Sequence, residues 1–137
     1  MVTFISDSPA ATEWVAAQFA RGLTGGSVVA LVGPLGSGKT QFTKGIAAEM
    51  GAASAVTSPT FTLIHEYTGG RLPIYHFDFF RIEGRRSAER LGLDEYFFGD
   101  GICIIEWADK FSELLPPTAN WISFEQKSEG ERLITIK

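Results

Sequence analysis

Residues 27–40 read SVVALVGPLGSGKT: a short β-branched apolar run, a glycine-rich turn and the opening of a helix. This stretch constrains the fold more than any other. Ser27 to Val32 has the uninterrupted apolar character of a strand buried on both faces, as in a parallel sheet. Gly33 to Thr40 matches the spacing G-x-x-x-x-G-K-[ST]. Gly36 and Gly38 allow backbone N–H groups to turn inward around an anion. The helix that starts at Lys39 aims the positive end of its dipole at the same point. Lys39 then reaches the β- and γ-phosphates of a nucleotide, and the Thr40 hydroxyl can ligate Mg²⁺. Average residue frequencies would give this pattern by chance in roughly one chain of this length in a few hundred. Its position between a strand and a helix is the context the motif requires.

The rest of the chain supplies elements to surround that unit. Val2 to Ile5 reads as a strand. Ser8-Pro9 reads as an N-cap followed by Pro at the first helical position, opening a helix to about Arg21 that buries Ala11, Val15 and Phe19. Lys39 to Met50 is a second helix, ended by Gly51. Thr60 to Tyr67 and Arg71 to Phe77 read as strands joined through Gly69-Gly70. Two short helices are expected over Ser87 to Leu91 and Asp94 to Phe98, then a buried strand over Gly101 to Ile105. Ala108 to Leu115 looks helical and stops at Pro116-Pro117. Trp121 to Gln126 and Arg132 to Ile136 alternate apolar and polar residues and form a closing hairpin. The order predicts an α/β protein, a single P-loop NTPase domain over residues 1–137. Its sheet is mixed and largely parallel, flanked by helices, with antiparallel strands at the edge.

A phosphate cradle of this kind needs an acid at the tip of a neighbouring strand. Two apolar runs end in one: ICIIE in Glu106 and LPIYHFD in Asp78. Glu106, after a uniformly apolar strand, is the cleaner metal-side acid. Asp78 then either orients or deprotonates an attacking water, or binds Mg²⁺ through water. The structural alternative for Asp78 is an ion pair with Arg81, three residues on. Thr57 to Thr60, TSPT, is either a segment that contacts the γ-phosphate side or a turn into the next strand. Trp107 either packs beside a base or belongs to the core. Arg81 to Arg90 is a solvated surface, a phosphate-binding lid or a partner surface. No N-K-x-D string follows the pattern of guanine readers, so adenine is favoured over guanine.

Other classes are disfavoured. With 16 acidic and 12 basic residues the net charge is −4, which argues against a free-standing nucleic-acid binder. The single Cys103 can form no internal disulfide and reads as an inert core thiol, and His65 and His76 read as strand residues with no zinc-site spacing. No apolar run is long enough for a membrane span, and the N-terminus lacks the pattern of a signal peptide. A cytoplasmic protein is expected.

Taken together, GPLGSGKT, TSPTF at Thr57 to Phe61, YHFDFFR at Tyr75 to Arg81 and IEWAD at Ile105 to Asp109 resemble the TsaE family, across nearly the whole chain. The resemblance implies an ATPase of tRNA threonylcarbamoyladenosine synthesis. It also implies that Thr40 and Glu106 hold Mg²⁺ and that Gly36, Ser37, Gly38 and Lys39 hold the phosphates of ATP. Asp78 would lie near the γ-phosphate, and Ser6, Ser8, Asp109 and Arg132 would touch the nucleotide. By the same resemblance, the chain is an accessory subunit that docks on a TsaB–TsaD heterodimer and meets tRNA only through that complex. Phe80 stands where the family commonly has Tyr, and Pro34 replaces a frequent acidic residue. A small-molecule kinase, with Arg81 to Arg90 as its lid, is the competing expectation.

Overall fold

The computed structural model describes residues 1–53 and 64–137. The segment Thr57 to Phe61 and the first part of the expected strand from Thr60 lie outside them. Among the described residues, seven strands form one sheet in the order β1-β7-β6-β2-β5-β4-β3. They are β1 (Val2–Ser6), β2 (Val28–Val32), β3 (Ile64–Tyr67), β4 (Ile74–Asp78), β5 (Ile102–Glu106), β6 (Asn120–Ser128) and β7 (Glu131–Ile136). The inner four, β6-β2-β5-β4, run parallel, and β3, β7 and β1 are added antiparallel at the two sides. This is the mixed, centrally parallel sheet that the element order implies.

The apolar runs in β2 and β5 are explained by layers on both faces. Val29, Leu31, Ile102 and Ile104 pack under α1 (Pro9–Ala20) and α2 (Lys39–Met50). Val28, Ala30, Cys103 and Ile105 pack on the opposite face. That face is covered by α3 (Arg85–Glu89), α4 (Leu93–Phe97) and a 3-10 segment, Ala108–Leu114. Successive strand residues point to opposite faces, so a strand with helices on both sides must be apolar at every position.

The helix boundaries follow their local chemistry. The Ser8 hydroxyl accepts the Ala11 N–H at 3.0 Å, with Pro9 next in line. Gly51, at φ 81°, closes α2 in the left-handed conformation. The buried stripe of α1 runs through Thr12, Val15, Ala16 and Ala20, one position over from the expected Ala11, Val15 and Phe19. The shift follows from α2 packing closely on α1. A Cβ on Gly45 would lie 2.5 Å from the Glu13 carbonyl oxygen and 2.7 Å from the Ala16 Cβ, so only glycine admits this approach. The expected helix over Ala108 to Leu115 is a 3-10 segment with a kink at Phe111. That ring turns inward and meets Phe79 edge-on at 5.6 Å.

A candidate nucleotide site at the ends of the parallel strands

Parallel order brings the C-terminal ends of β2, β5 and β4 to one edge of the sheet, where open α/β sheets bind their ligands. In the pairing of β4 with β5, Asp78 is the register partner of Glu106. The two carboxylates that end separate apolar runs in the sequence are therefore direct neighbours. They share a cleft of about 540 Å³ with Gly36, Ser37, Gly38, Lys39, Thr40 and Arg132.

The loop at the end of β2 is shaped for an anion. Gly36 (φ 75°) and Gly38 (φ 107°) hold left-handed conformations. Lys39 is nearly buried, with its ammonium donating to the Gly33 carbonyl and to that of Pro34 at 3.4 Å. The same ammonium lies 3.7 Å from the centre of the Trp107 ring. Burial pulls the Lys39 pKa down, against the opposing charges of Glu106, Asp78 and Asp109. Trp107 is the sole non-glycine residue with positive φ among the described residues, at 57°. Such backbone costs on the order of 1–3 kcal/mol and gathers at functional sites. Here it turns the indole over Lys39 and against Phe80, with the two rings 4.9 Å apart.

Asp78 performs two structural tasks. Its Oδ1 accepts the Phe80 N–H at 3.0 Å, capping a 3-10 turn, Phe79–Arg81. Its Oδ2 lies 3.4 Å from Arg81 Nε, so the ion pair considered as an alternative exists. Neither task quiets the group. Burial raises its pKa, and the charge of Glu106 adds to that, while the Phe80 amide, Arg81 and His76 oppose it. A carboxylate that burial and a like charge both destabilise, beside a half-exposed guanidinium, retains capacity for another cation or for a proton.

The site also has hydrogen-bonding capacity to spare. Among the described residues, the buried side-chain polar atoms without a partner are Ser37 Oγ, Gln41 Oε1 and Arg132 Nε, and all three residues line this cleft. Buried polar atoms are normally satisfied, so an unsatisfied set around one cavity marks a binding site. The Ser37 hydroxyl and Arg132 N–H suit phosphate oxygens, and the carboxylates beside them suit a divalent cation. The residues present thus fit a nucleotide triphosphate with Mg²⁺.

Some residues stand elsewhere. Ser6 is buried behind the cleft wall, its hydroxyl 2.7 Å from that of Thr12 and 2.9 Å from the Ser8 carbonyl oxygen. Ser8 is occupied as the α1 cap, and its neighbours Pro9 and Thr12 form the wall instead. Asp109 lines a separate cavity of about 210 Å³ with Val32, Trp121 and Lys137. Arg132 is tied to the loop by a bond from Nη2 to the Gly36 carbonyl at 2.7 Å. Sequence reasoning passed over His76. Its ring bonds Glu106 at 2.7 Å and the Tyr67 hydroxyl at 2.9 Å. The signal was the period of two: His76 and Asp78 lie on one face of β4.

A glycine-rich loop between a central parallel strand and a helix, with acids ending the adjacent strands, makes this an α/β protein whose candidate site lies at the C-terminal edge of a centrally parallel sheet. The model of the family described as threonylcarbamoyl adenosine biosynthesis protein TsaE matches residues 6–134. The Bacillus subtilis protein named tRNA threonylcarbamoyladenosine biosynthesis protein TsaE is 45% identical over 129 residues, 94% of this chain and 80% of its own. Its namesake from Treponema pallidum is 41% identical over 111 residues, 81% of this chain and 82% of its own. The crystal structure of Bacillus subtilis YdiB superposes with a TM-score of 0.83 at 39% identity, covering 98% of this chain and 83% of that one. The chain belongs to the TsaE family.

Proposed function

We propose that the protein is a Mg²⁺-dependent ATPase that serves N6-threonylcarbamoyladenosine modification at position 37 of tRNA in the cytoplasm. In this reading it acts as a nucleotide-driven switch on a TsaB–TsaD heterodimer and has no tRNA surface of its own. The observation that carries the hydrolytic reading is the pairing of Asp78 with Glu106 on the cleft that Lys39 lines. Family membership and the relatives' names support the pathway.

Gly36, Ser37, Gly38 and Lys39 would bind the phosphates through amides and the ammonium, with Arg132 at the outer side. Thr40 and Glu106 would hold Mg²⁺, which when bound supplies positive charge against the phosphate oxygens. Asp78 would align an attacking water and accept its proton, or hold the metal's water in place. Isolated turnover is expected to be slow, with the productive arrangement favoured by the partner. A kinase reading would need the arginine-rich segment as a mobile lid. In that segment Arg85 meets Glu89 at 2.8 Å and Glu113 at 3.6 Å in exposed pairs, which are worth little.

The test is phosphate release from ATP by the protein alone and with the heterodimer. Release that rises with the heterodimer supports the switch. Stoichiometric transfer of phosphate to a metabolite would replace it with the kinase.

A further inference from the structure

We infer that His76, backed by Tyr67, is a positioning residue that fixes the carboxylate of Glu106, an inference that rests on reading Glu106 as the metal-side acid. His76 has no exposed surface and sits in β4 among apolar neighbours, yet both ring nitrogens are engaged. Nε2 lies 2.7 Å from Glu106 Oε2, and Nδ1 lies 2.9 Å from the Tyr67 hydroxyl. An ionised carboxylate can only accept, so Nε2 carries the hydrogen of that bond. On the other side of the ring Nδ1 meets the hydroxyl of Tyr67, a residue that is itself buried. The three groups form a continuous hydrogen-bonded chain from β3 through β4 to β5, in which Tyr67 meets His76 and His76 donates to Glu106.

Three features make this more than a satisfied core histidine. The chain ends on the oxygen of a residue that lines the cleft, not on a backbone group. It crosses three adjacent strands, so the rigid sheet sets the carboxylate angle. It also holds Glu106 while the ammonium of Lys39, the nearby cation, is drawn to the carbonyls of Gly33 and Pro34. A carboxylate without this anchor would be free to turn towards Lys39 and fill the space a cation needs. A histidine that orients a metal-side carboxylate is the mirror image of the carboxylate that orients a metal-bound histidine, and loss of such a partner costs 10–100-fold in metal affinity.

The experiment measures Mn²⁺ binding to the full chain with ADP by electron paramagnetic resonance, together with ADP affinity in chelator. His76→Leu is expected to weaken Mn²⁺ by about 10–100-fold and to leave metal-free ADP binding within about 2-fold. His76→Gln, whose amide N–H can occupy the Nε2 position, should recover most of the loss, and Tyr67→Phe should fall between wild type and His76→Leu. If Glu106→Gln weakens Mn²⁺ but His76→Leu does not, the positioning role is overturned and the metal-side acid stands. If neither does, the metal-side acid fails and takes the inference with it. Should His76→Leu not fold, ring ¹⁵N spectra of the wild-type protein decide: hydrogen on Nε2 supports the chain, and on Nδ1 alone overturns it.

Discussion

Asp78 is a residue held against its own preference. Its raised pKa means that the folded protein binds the proton more tightly than the unfolded chain does. The stability tied to that proton is fully present below the ordinary value of 3.8 and is lost as pH rises through the higher folded one. Asp78→Asn, which keeps an acceptor for the Phe80 N–H, should therefore raise stability at pH 7 by about 0.5–2 kcal/mol and give no gain at pH 3, measured by urea unfolding. The same variant should bind ATP and lose turnover on the order of 100-fold or more, read as phosphate release with the partner present. Normal hydrolysis would leave the Arg81 pair as the whole account of this residue. The place of Asp78 at a strand tip was legible because a charge in an aromatic run is costly. The bond between His76 and Glu106 was not, because it joins residues 30 positions apart whose strands must first be known to pair.

At the scale of elements, α2 connects the fold to the site. Its first residue is Lys39, and its middle rests on α1 through Gly45. Gly45→Ala gains helix propensity but drives a methyl into the Glu13 backbone and Ala16, so a net loss of about 1–3 kcal/mol is expected in thermal unfolding. An unchanged melting point would mean that the helices separate without cost. The limits of α2 were readable because glycines bracket it. The 3-10 geometry of Ala108–Leu114 was not, since its kink depends on Phe111 finding Phe79 across the core. The two short helices α3 and α4 fall one or two residues earlier than expected, where no strong cap marks their starts.

For the whole molecule, ligand binding and folding are linked. ATP with Mg²⁺ at 100 times its dissociation constant should stabilise the protein by about 2.7 kcal/mol, seen as a higher melting temperature. A chelator should remove most of that gain, and Lys39→Ala should abolish it. Equal stabilisation of wild type and Lys39→Ala would place the nucleotide elsewhere. The largely parallel character of the sheet was foreseeable from apolar runs alternating with helices, but the reach of Arg132 to Gly36, across 96 positions, was not. That reach has a consequence for how the protein is made. The loop is synthesised well before β6, which flanks β2, and before the arginine that clasps the loop. About 90 residues separate Thr40 from Arg132, a delay on the order of 5–20 s at ordinary elongation rates. Throughout that interval the nascent chain carries the loop without its clasp, so the loop reaches its final form only once β7 has joined the sheet.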